Sequence, residues 1–170
     1  MSDVPVSSTD DPTSSPIILI DAIGTATFVI AMAVSVPFRE ERSAQIAIAV
    51  LSMVLFAVGI ATCLWAYTSA LERSRTEEVG VANLFLLTGA TAPRRVRRTM
   101  SLCLVVQVVA AVGGATVGVV GLEQDQLNAL AFGVLVPMFG IGMNGLWAAR
   151  SGAFGPRGQG PVQPTNRKID

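Results

Sequence analysis

Histidine is absent from this chain of 170 residues. That removes the commonest general base, proton shuttle and transition-metal ligand together. Cysteine is nearly absent as well: Cys63 and Cys103 lie in separate apolar segments without CxxC or other metal-ligand spacing. Both are expected to be reduced and structural, since a free Cys behaves as a small buried hydrophobe. Charge is scarce at 14% of residues, and twelve basic and twelve acidic side chains cancel. No overall field would draw the chain to nucleic acid. No HExxH, GxSxG or P-loop pattern occurs, and no apolar segment holds paired carboxylates. An acid–base couple is therefore not evident, and neither an enzyme nor a cofactor is expected.

What the chain has in abundance is apolar sequence, with 51% hydrophobic residues and a mean hydropathy of +0.57. That is membrane composition. Four apolar runs stand out, at about 17–38, 44–71, 100–122 and 127–149. The first would be about 33 Å long as a helix, enough for a hydrocarbon core of about 30 Å. The fold class expected is all-α: a bundle of four transmembrane helices in two hairpins, with a short interfacial helix in the loop between them. Residues 1–16, rich in Ser, Thr, Asp and Pro, read as a disordered tail, and 150–170, with Gly and Pro throughout, as a flexible one.

The central loop, 72–99, begins with mixed charges (Glu72, Arg73, Arg75, Glu77, Glu78) that read as a solvated helical extension. The apolar run VGVANLFLLTG follows, too short to span, and suits a helix lying in the interface or docked against the bundle. Arg94, Arg95, Arg97 and Arg98 then stand just before the third span. Their first meaning is topogenic; anionic lipid could add about 1 kcal/mol for each.

Four spans put both termini and the central loop on one side. That side carries Arg73, Arg75, Arg94, Arg95, Arg97, Arg98, Arg150, Arg157, Arg167 and Lys168, ten of the twelve basic residues, against Arg39 and Arg42 on the other. The distribution predicts a multi-pass protein of the cell membrane with cytoplasmic N- and C-termini. Trp65, Tyr67 and Trp147 would form an aromatic belt at the same face.

Within the spans, polar and small residues form the candidate sites. Asp21, the one ionisable residue of the first span, is expected near the headgroups at the helix start, with a role in an ion or proton path as the alternative. Ala110, Gly114 and Gly118 make a small-xxx-small stripe, extended by Gly121 and shared with Gln107. Gly133, Pro137, Gly140 and Asn144 lie on one face of the fourth span, where Pro137 should kink the helix. Gln107 and Asn144 fall within about 3 Å of each other in depth. If the glycine faces meet, the two amides should form a hydrogen bond worth roughly 0.6 kcal/mol. A polar layer including Asp21 would lie in the same leaflet.

At PMFGIGMNGLWAARSGAFGPR, together with EEVGVANLFLL and APRRVRR, the chain resembles small four-span actinobacterial membrane proteins of unknown function. The resemblance implies an envelope protein and carries no catalytic or binding residues across. The function expected is a non-catalytic membrane component that associates with itself or with another envelope protein. The alternative is a small solute or ion transporter or channel subunit.

Overall fold

The computed structural model describes residues 15–38, 41–89, 91–119 and 129–156. Among these the chain forms helices joined by turns and loops, with one pair of two-residue strands. The outer turn at 121–128, Gly121, Arg39 and most of both terminal tails lie outside the described residues.

Helix α1, Pro16–Ser35, begins where Pro16 supplies a fixed φ and gives up no needed donor. Ser15 precedes it but caps through its backbone carbonyl, which accepts from Ile18 N at 3.0 Å. Helix α2, Arg42–Arg73, has 32 residues and so overshoots a hydrocarbon core. Helix α4, Arg94–Val119, starts six residues before the expected apolar boundary of 100. Arg is a good helix former, and nothing in RRVRRT ends a helix, so the polar turns continue the apolar ones.

The fourth span is not one regular helix. Residues Ala129–Leu135 form a 3-10 segment, and α5, Pro137–Ser151, begins afresh at the proline. Pro137 lacks an N–H and its ring crowds the preceding turn, so the ladder is interrupted there. Together these pieces are long and apolar enough to span a membrane, as are α1, α2 and α4.

The fourth span is also the centre of the bundle. Half of its apolar window is buried, against about a quarter for each of the others. The 3-10 segment lies along α4 and α2, while α5 packs chiefly on α2 and also meets α1 and α4. Close approach of α2 depends on glycine. A Cβ at Gly59 would sit 2.6 Å from the backbone of Met138 and Phe139, and one at Gly142 would strike the Gly59 carbonyl and the Thr62 hydroxyl. Phe139 fills the space above Gly24 of α1, where a Cβ would come within 2.6 Å of the ring.

Gly114 of α4 and Gly133 of the 3-10 segment meet side chains of α1, not each other. Met32 lies over Gly114, and Met32 with Phe28 over Gly133. The expected glycine-to-glycine seam is replaced by a third helix, because two large apolar side chains fill the hollows better than a close backbone crossing would.

The central loop folds back on the bundle. Helix α3, Val81–Phe85, packs on α5, with Phe85 in the hollow left by Gly145. Leu84 and Leu87 are buried, while Val81 and Leu86 face outward. The docking is tight enough to hold Leu87 at φ +52, a left-handed conformation that costs a non-glycine residue about 1 kcal/mol or more.

Arg73 secures this end of the molecule. Its guanidinium donates to Glu77 Oε2 at 3.0 Å, to the Ala149 carbonyl at 3.1 Å and to the Gly152 carbonyl at 3.2 Å, and it stacks 5.0 Å from the Phe154 ring. The last carbonyls of α5 would otherwise be orphaned at the negative end of its dipole. Strand β1, Glu77–Glu78, pairs antiparallel with β2, Gly155–Pro156, alongside. Arg73 and Glu77 are thus a clamp between α2 and α5, not a solvated extension. Long-range pairing across 76 residues is invisible to local charge pattern.

Candidate functional site

One buried polar layer joins α1, α4 and α5. Asp21 is the sixth residue of α1, about 7.5 Å along the axis from Pro16. It is fully buried, as is Gln107 of α4. Asp21 thus turns inward against α4 and is not an exposed residue of the helix start, and a turn later Thr25 turns the same way.

Gln107 is the hub of this layer. Its Nε2 donates to Thr25 Oγ1 at 2.7 Å and, at a longer 3.5 Å, to Asp21 Oδ1. Its Oε1 accepts from the Gly140 amide at 3.2 Å. Thr25 passes its own proton back to the Asp21 carbonyl at 2.8 Å. Cys103, one turn before Gln107, lies beside the Asp21 carboxyl and the Thr25 hydroxyl.

The Gly140 contact follows from the break in the fourth span. Phe139 N reaches Val136 O at 2.8 Å in a 3-10 turn, so Gly140 N–H belongs to the first turn of a new helix, where donors lack regular partners. A glycine there lets the amide approach: a Cβ would come within 2.5 Å of Gln107 Oε1. The predicted Gln107–Asn144 hydrogen bond is accordingly not formed. The side chains lie on facing helices, but Gln107 meets the backbone one turn short of Asn144. Asn144 is buried too, and its Nδ2 donates to the Phe85 carbonyl at 3.1 Å, an orphan at the end of α3. Treating the fourth span as a continuous helix hid the donor that claims Gln107.

Trp147 is likewise relocated. It is 0% exposed and packs inside, whereas Trp65 and Tyr67 are 60% and 50% exposed. Arg150 lies 5.6 Å above the Trp65 ring, so the basic and aromatic residues at that end interact outside the core.

Four buried polar side-chain atoms have no hydrogen-bond partner among the described residues: Asp21 Oδ2, Ser52 Oγ, Asn144 Oδ1 and Trp147 Nε1. Only the first belongs to an ionisable group. No Arg or Lys side chain among the described residues hydrogen-bonds or ion-pairs with Asp21. Among the described residues no three His, Cys, Asp or Glu side chains gather in a way that could hold a metal ion.

Of the remaining expected residues, Arg97 donates to the Gly89 carbonyl at 3.0 Å, whereas Arg94, Arg95 and Arg98 are exposed. Ala110 is half-buried and Gly118 buried on α4. No family model, curated protein or solved structure matches this chain.

Proposed function

We propose that this is a multi-pass protein of the cell membrane, folded as two helical hairpins with both termini cytoplasmic, and that it serves as a small transport component whose Asp21 carboxyl carries a proton. The carrying observation is the state of that carboxyl: fully buried, with Oδ1 weakly held by Gln107, the Cys103 thiol alongside, and Oδ2 without a hydrogen-bond partner among the described residues. Placing a carboxylate in the apolar interior costs about 3 kcal/mol on insertion scales. Asn would supply the same single acceptor without an ionisable group. What Asp adds is the ability to take up and release a proton. The break at Pro137 supports this reading, since interrupted helices expose backbone donors where solute sites occur.

The assembly reading drew on glycine faces of α4 and the fourth span; of these, Gly114 and Gly133 are covered by Met32 and Phe28, and Gly140 by Gln107 and Leu104, of the same chain. Gly113 has nothing within 4 Å of its Cβ position among the described residues and lies on the outer face of α4, open to a partner helix.

Purified protein in liposomes with an interior pH dye tests the proposal. Wild type should dissipate an imposed pH gradient, and Asp21→Asn should not, while both elute alike in detergent. Equal rates in the two would reduce Asp21 to a packing residue and overturn the transport reading.

A further inference from the structure

We infer that the cleft between the beginnings of α1 and α4 is a binding site for the phosphate headgroup of an anionic phospholipid, held by Arg95 and Arg98. The inference rests on the reading of the chain as membrane-embedded. The cleft has a volume of about 330 Å³ and is lined by Ile18, Arg95, Val96, Arg98 and Thr99. Two cations and a hydroxyl face two branched apolar side chains, and among the described residues no acidic one lines it. This is the mixture an amphiphile requires: donors for a phosphate and an apolar wall for the glycerol and first methylenes.

The arginines are available. Neither Arg95 nor Arg98 makes a hydrogen bond or ion pair among the described residues, in contrast to Arg97, spent on Gly89, and Arg73, spent on Glu77, Ala149 and Gly152. They are one turn apart on one face of α4 and can converge on a single phosphate. Thr99, one turn beyond Arg95, adds a neutral donor.

The surroundings favour a lipid over a soluble phosphate. Moving into the bilayer from the cleft, the outer faces of both helices are apolar and exposed, at Leu19, Ile20 and Ile23 on α1 and Leu102 on α4. An acyl chain leaving the cleft would run along them. Positive charge at the cytoplasmic leaflet also meets the anionic lipids concentrated there. The site is narrower than the whole run of arginines: it uses Arg95 and Arg98, and leaves out Arg94.

The test uses full-length protein in nanodiscs of neutral phosphatidylcholine, whose formation reports membrane insertion independently of the site. Phosphatidylglycerol is titrated in, and bound lipid is counted by native mass spectrometry. Wild type should prefer phosphatidylglycerol; R95Q and R98Q should each bind it about fivefold more weakly, and R94Q as wild type does. R95K should recover most of the loss, which separates charge from misfolding. Equal weakening in R94Q would mean a diffuse charge effect and would overturn the site. Full displacement by millimolar glycerol phosphate would identify a soluble phosphate ligand and overturn the lipid assignment, as would equal binding of the two lipids.

Discussion

Gln107 Oε1 accepts the amide proton of Gly140 at 3.2 Å, so a side chain of the third span completes the first turn of the helix that Pro137 starts. The same side chain holds Thr25 at 2.7 Å, and three helices therefore meet at one amide group.

Replacing Gln107 by Met keeps the volume and removes every one of those bonds. It strands the Gly140 donor in an apolar interior, a loss expected to cost about 2 kcal/mol. Unfolding in a graded detergent mixture measures it. In double-mutant cycles, coupling between Gln107 and Thr25 should exceed that between Gln107 and Asn144, which share no hydrogen bond.

The contact of α2 with α5 predicts a sharp difference between glycines. Gly59→Ala places a methyl group 2.6 Å from backbone that cannot rotate away, and should destabilise the bundle by about 2 kcal/mol or more. Gly113→Ala meets open space and should stay within about 0.5 kcal/mol of wild type. Similar unfolding curves for the two variants would contradict the packing described.

At the Arg73 clamp, two kinds of interaction can be separated. Glu77→Gln removes a part-exposed ion pair of 2.9 Å and should cost less than about 1 kcal/mol. Arg73→Met also frees the carbonyls of Ala149 and Gly152, and should cost about 2 kcal/mol. Faster amide exchange at 74–89 and 150–156 in Arg73→Met, with little change in Glu77→Gln, is the expected outcome.

Orientation is open to a simple check. A fluorescent protein that folds only in the cytoplasm should light up when fused to the C-terminus, and a periplasmic phosphatase there should stay inactive.

The spans were legible because length and apolar composition suffice for them; the site was legible only in its parts. Gln107, Gly140, Asp21 and Asn144 all stand out as polar or small residues in apolar runs. Their pairing depends on where the fourth helix restarts, and depth counted along an unbroken helix carries the error of that restart into every contact. Trp147 illustrates a second limit. An aromatic near a span's end fits the belt pattern, yet the half-buried fourth span turns it inward. The docking of α3 and the clamp at Arg73 require contacts between segments distant in sequence, for which charge and periodicity give no signal.

The central place of the fourth span bears on how the protein is made. This segment is the least apolar of the four and is translated last. Until it arrives, Gly59, Phe28, Met32 and Gln107 of the earlier helices lack the partners they have in the folded chain, and Gln107 lacks its amide donor. A chain stalled before Gly140 would be caught with its polar layer unfinished.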